Sequence, residues 1–121
     1  MGAVRSIVWT KKKRMNKQEY LLTRLAEECA EVIKVVTKIQ SYGLRNVNPK
    51  NPVKPNKSLL EDELVDLMTV MNILQFEEII TLPSDQDMIT AMEMKEAKIE
   101  KWMVYSREQG CLQDESQHTD K

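Results

Sequence analysis

The chain is short of the residues on which many small proteins rely for cross-links, soft-metal sites and tight turns. Of 121 residues, one is histidine, two are cysteine and three are glycine, and aromatic side chains make up 5%. The single histidine, His118, lies in a polar terminal stretch. A ferritin-like di-iron centre, which draws a Glu-x-x-His pair from each of two helices, is therefore excluded. The spacing of Cys29 and Cys111 suits no metal knuckle, and both read as reduced thiols. No apolar run approaches the roughly 20 residues that span a bilayer. Ile7-Val8-Trp9 is too short for the apolar region of a secretory signal. Neither sign of charge prevails: the net charge is −1 although 31% of residues are charged. That balance argues against a dedicated nucleic-acid binder, which is basic overall. The expectation is a cytoplasmic protein with no transmembrane segment and no stable nucleic-acid partner.

What is abundant points to helices. Leu, Glu and Lys recur throughout and there are eight Met, a supply that suits an all-α chain. A chain of this length makes one domain with a modest core, so self-association would help it. The reading is an antiparallel helical bundle completed by homo-oligomerisation, as a homodimer or a homotetramer. Residues 1–15 form a flexible leader with a basic run, Lys11 to Arg14, behind Met1-Gly2-Ala3-Val4-Arg5-Ser6, which also fits an N-myristoylation pattern. Residues 16–110 form the helical domain. Asn16 and Glu19 have capping-box spacing and open the first helix, which Gly43 stops. Its apolar set is Leu21, Leu22, Leu25, Cys29, Val32, Ile33, Val36 and Ile39. Pro49, Pro52 and Pro55 make 43–57 a loop. Ser58 and Glu61 suggest a capping box for the second helix, and Ser84 with Asp87 opens the third. Residues 111–121 read as a disordered polar tail.

Two acidic pairs carry the chemistry. Glu28 and Glu31, then Glu63 and Asp66, are each spaced i,i+3, which sets both carboxylates of a pair on one side of a helix. With Glu28 as origin and about 100° per residue, Leu21, Leu25, Cys29, Val32 and Val36 fall between roughly 20° and 100°. Glu31 falls at about −60° and Glu27 at about −100°. The second helix repeats the device: with Glu63 as origin, Leu60, Leu67, Met71 and Leu74 fall between roughly 20° and 80°, and Asp66 at about −60°. Each helix thus shows a carboxylate pair along one margin of an apolar stripe. Two carboxylates about 6 Å apart repel by on the order of 3 kcal/mol at an effective dielectric of about 20. Four of them gathered between two helices call for a hard, oxygen-loving cation, Mg²⁺ or Mn²⁺.

Leu25-Ala26-Glu27-Glu28-Cys29-Ala30-Glu31-Val32, followed by Leu60-Glu61-Asp62-Glu63-Leu64-Val65-Asp66-Leu67, resembles the MazG-like, all-α nucleoside triphosphate pyrophosphohydrolases. That superfamily includes dimeric dUTPases and dCTP pyrophosphatases. Its EExxE motif fits Glu27, Glu28 and Glu31, and its ExxD motif fits Glu63 and Asp66. The resemblance covers about residues 16–110, and the Pro- and Lys-rich stretch between the motifs departs from the pattern. It implies Mg²⁺-dependent cleavage of a nucleoside triphosphate between the α and β phosphates, yielding a monophosphate and pyrophosphate. It also implies Glu28, Glu31, Glu63 and Asp66 as metal ligands, and Glu27, Glu28 and Glu63 as the catalytic set, with Glu27 positioning or deprotonating water.

On the third helix Lys95, Lys98, Lys101, Trp102 and Tyr105 share one broad arc. Lys95, Lys98 and Tyr105 are the candidates for substrate: ammonium groups for phosphate, a ring for the base. The competing reading is a catalytically silent helical scaffold, for which Mg²⁺ would leave the melting temperature unchanged.

Overall fold

The computed structural model describes residues 14–114. The leader, the myristoylation pattern and the polar tail lie outside the described residues, apart from their inner ends. The described residues form three helices: α1 (Lys17–Tyr42), α2 (Asn56–Phe76) and α3 (Asp85–Glu108). The described residues contain no strand, only an isolated bridge between Val47 and Pro55. The described residues are thus all-α. The chain divides into two compact units, Met1–Ile80 and Thr81–Lys121.

In the first unit α1 and α2 form an antiparallel hairpin. The capping box at α1 is present in full: Glu19 N–H donates to Asn16 Oδ1 at 2.7 Å, and Asn16 N–H donates to Glu19 Oε1 at 2.9 Å. Gly43 ends α1 at φ 102°, a left-handed-side conformation that a Cβ disfavours, and its N–H donates to Ile39 O at 2.7 Å. At the open end Lys17 pairs with Glu77 at 2.8 Å. Leu21, Val70 and Leu74 form the core there, with Leu25, Ile79 and Ile80 packed on it. The turn after α2 holds Glu78 at φ 61°.

Two expectations are corrected. The second helix starts at Asn56, two residues before Ser58, and Pro55 is its N-cap with no side-chain cap bond. Asn56 N–H donates to Asn46 O at 2.9 Å and Lys57 N–H to Leu44 O at 2.8 Å. Loop carbonyls therefore satisfy the free donors of the first turn, and no serine is needed. The buried stripe of α1 is also rotated toward the acids. Leu21, Leu25, Glu28, Val32, Val35 and Ile39 are the buried or half-buried seam, while Leu22, Cys29, Ile33 and Val36 are exposed. In α2 the seam is Asn56, Leu60, Glu63, Leu67, Val70 and Leu74, and Leu64 and Met68 are exposed. Both seams advance by alternating steps of four and three residues, the spacing of helices packed side by side.

In the second unit Ser84 caps α3, its Oγ accepting from Asp87 N–H at 3.3 Å. Asp85 and Asp87 stand in the first turn and Arg107 in the last, each favourable toward the helix dipole. None of the residues of α3 is buried.

Candidate metal centre

The third seam position is glutamate on both helices. Glu28 is therefore a seam residue and not a marginal one, and its side chain is 8% exposed. Glu63 is half-buried on the facing helix, and Asp66 lies one turn on, at the exposed edge. One carboxylate oxygen from each of Glu28, Glu63 and Asp66 can be chosen so that all three lie within 4.8 Å of one another. At that separation a pair of full charges repels by about 1 kcal/mol in water and about 3 kcal/mol at an effective dielectric near 20.

The cost falls visibly on Glu63, whose carboxyl is pushed above the usual glutamate range. Its burial is the largest cause, followed by the charges of Asp66, Glu31, Glu28 and Asp62. Glu28 has a counterion of its own. Arg24 Nη2 donates to Glu28 Oε2, and Arg24 Nη1 donates to Glu27 Oε1 at 2.5 Å. Partial burial works against the charge of Arg24, but Glu27 and Glu28 outweigh it and hold the guanidinium pKa above its ordinary value.

The structure thus gathers three of the four expected ligands. Glu31 is exposed and outside the trio, yet its charge still reaches Glu63. Glu27 is also outside the trio, engaged with Arg24. Lys95, Lys98 and Tyr105 belong to α3. Lys95 and Lys98 border a cavity of about 370 Å³ with Ile99, Trp102, Met103 and Ser106. Tyr105 meets Trp102 edge-on, ring centroids 5.6 Å apart, and Lys101 Nζ sits 5.8 Å from the Trp102 ring.

Two features were not singled out from the sequence. One is Arg24, whose i,i+3 and i,i+4 spacing to Glu27 and Glu28 was the available signal. The other is a cavity of about 620 Å³ at the closed end of the hairpin, bordered by Lys38, Tyr42, Asn46, Asn48, Lys50 and Asn56 among others. Asn56 is buried and its Nδ2 donates to Gly43 O at 2.9 Å, fixing the loop to α2. No local pattern announces such a cavity, because the loop closes it from outside the helices.

No family model, curated protein or solved structure matches the chain. Three carboxylate oxygens, with no sulfur and no imidazole among them, are a donor set that would suit a hard divalent cation.

Proposed function

We propose that the protein is a Mg²⁺-dependent nucleoside triphosphate pyrophosphohydrolase of the MazG-like kind. The observation that carries this reading is the placing of Glu28 and Glu63 at matching seam positions of a hairpin, with Asp66 beside them. A seam favours apolar residues, so two facing acids there weaken the fold unless a cation joins them.

Glu28, Glu63 and Asp66, with Glu31 alongside, would hold Mg²⁺, with Mn²⁺ able to replace it. Once bound, such an ion offsets triphosphate charge and lowers the pKa of a coordinated water, so no covalent nucleophile is required. The remaining tasks fall to protein groups. The cavity at the closed end lies about 10–15 Å from the acids, judged by the helical rise from Glu28 to Lys38 and from Asn56 to Glu63. That distance suits the nucleoside end of the substrate, with Tyr42 offering a ring and Lys38 and Lys50 offering positive charge. Lys95, Lys98 and Tyr105 are assigned to phosphate and base on chemical grounds alone.

The test is a panel of canonical and modified NTPs and dNTPs, assayed for pyrophosphate with and without Mg²⁺. Release from at least one nucleotide, dependent on Mg²⁺, is the expected result. Silence across the panel would remove the proposal. The scaffold reading draws on a different observation, the wealth of uncovered apolar side chains. It predicts a melting temperature indifferent to Mg²⁺ and nucleotide, whereas the enzyme gains stability from both.

A further inference from the structure

We propose that Arg24 and Glu27 act as one positioning unit for Glu28, and that Glu27 serves the site through Arg24 and not as a base on water. This rests on the metal reading above. Glu28 stands in the hairpin seam beside two other carboxylates, with its side chain only 8% exposed. Arg24 is the cation bridged to it. The planar guanidinium places one nitrogen on Glu28 and the other on Glu27, so the direction of the Glu28 carboxylate is fixed by a fork whose second tine is itself held. The contact occupies Oε2 and leaves Glu28 a second oxygen, since a carboxylate carries two.

Charge explains why a glutamate holds the second tine. A lone guanidinium beside a cation site repels the cation. The carboxylate of Glu27 cancels that charge, so the unit orients Glu28 without opposing a divalent ion. Glu27 is itself poorly placed to act on water at the cluster. Its side chain is 55% exposed, its Oε1 is engaged by Arg24, and it is not among the carboxylates that converge. All three residues lie within one turn or so of α1, so the unit is built by the helix alone.

The experiment measures Mn²⁺ binding to the full chain by calorimetry, with no nucleotide present. Four proteins are compared: the natural chain, Glu27→Gln, Arg24→Met and the double variant, with helical circular dichroism run on each. Each single variant is expected to bind Mn²⁺ about tenfold more weakly, the scale set by loss of groups that orient metal ligands. The double variant is expected to be no weaker than Arg24→Met, because both residues act through one contact. Arg24→Lys, which reaches one carboxylate but not both, is expected to recover part of the loss. Glu27→Gln is isosteric and exposed, and decides the matter alone if Arg24→Met loses its helices. Unchanged Mn²⁺ affinity in Glu27→Gln, as a base on water would give, overturns this inference and leaves the metal site standing. Additive losses in the double variant overturn it as well. A natural chain that takes up no Mn²⁺ overturns the metal reading itself.

Discussion

Glu63 is the residue at which the physical tension of the site is concentrated. Burial and four neighbouring acids raise its pKa, so between the ordinary glutamate value and the raised one the folded chain holds more of its proton than the unfolded chain does. Stability changes with pH as the unfolded minus the folded proton count, which is negative here. The contribution of Glu63 is therefore full below the ordinary glutamate pKa and is lost as pH rises through the raised one. In metal-free buffer the melting temperature of the natural chain should fall relative to that of Glu63→Gln as pH rises across that window. A difference that stays constant, or that moves the other way, would contradict the assignment. The same variant is expected to keep its helical dichroism and lose turnover by about 100-fold or more, since losing a ligand costs at least as much as losing a group that orients one. Undiminished pyrophosphate release would remove Glu63 from the site.

At the scale of the element, the hairpin carries an acid where its repeat asks for an apolar residue. Glu28→Leu should restore the seam. Arg24 keeps Glu27 as a partner and is 41% exposed, so no buried charge is left unpaired. The metal-free hairpin is then expected to gain about 1–2 kcal/mol, as when buried ionic groups give way to apolar ones. On the proposed metal reading, the same variant should lose the stabilisation expected from Mg²⁺. Lower stability in metal-free buffer would mean that Glu28 supports the fold for its own sake. The turn after α2 offers an independent check. Glu78 sits at φ 61°, where an L side chain is strained by about 1–2 kcal/mol and glycine is not. Glu78→Gly should raise the unfolding free energy by about 0.5–1 kcal/mol, once the greater freedom of unfolded glycine is set against the strain, and so move the denaturation midpoint slightly upward.

At the scale of the molecule, much apolar surface is uncovered. Ile33, Val65 and Phe76 are 65%, 61% and 84% exposed in the first unit, and Met92, Met94 and Trp102 are exposed on α3. Surface of this kind marks association. Completion by further copies of the chain, as a homodimer or homotetramer, is the proposal that fits. Static light scattering at micromolar concentration should give at least twice the 14.1 kDa of one chain. Val65→Glu together with Phe76→Ser should shift that mass toward one chain. A natural chain that is monomeric under those conditions would contradict the proposal.

The sequence by itself determined where helices begin and end when the signals are local. Asn16 with Glu19, Gly43 and Ser84 with Asp87 all act where their spacing placed them, because a side-chain cap reaches only its own first turn. It also showed that Glu28 and Glu63 recur in matching registers beside apolar stripes. Only the tertiary structure decided the rest. The angle of a buried stripe is set by the partner helix, and pairing α1 with α2 turned the seam onto Glu28 and left Cys29 and Ile33 outside. The start of α2 moved to Asn56 because carbonyls from the preceding loop supply its cap, and a backbone partner leaves no trace in side-chain chemistry. Which carboxylates meet depends on the register between two helices. That register brought Asp66 to Glu28 and Glu63 and left Glu31 at the margin, a distinction that periodicity within a single helix does not contain.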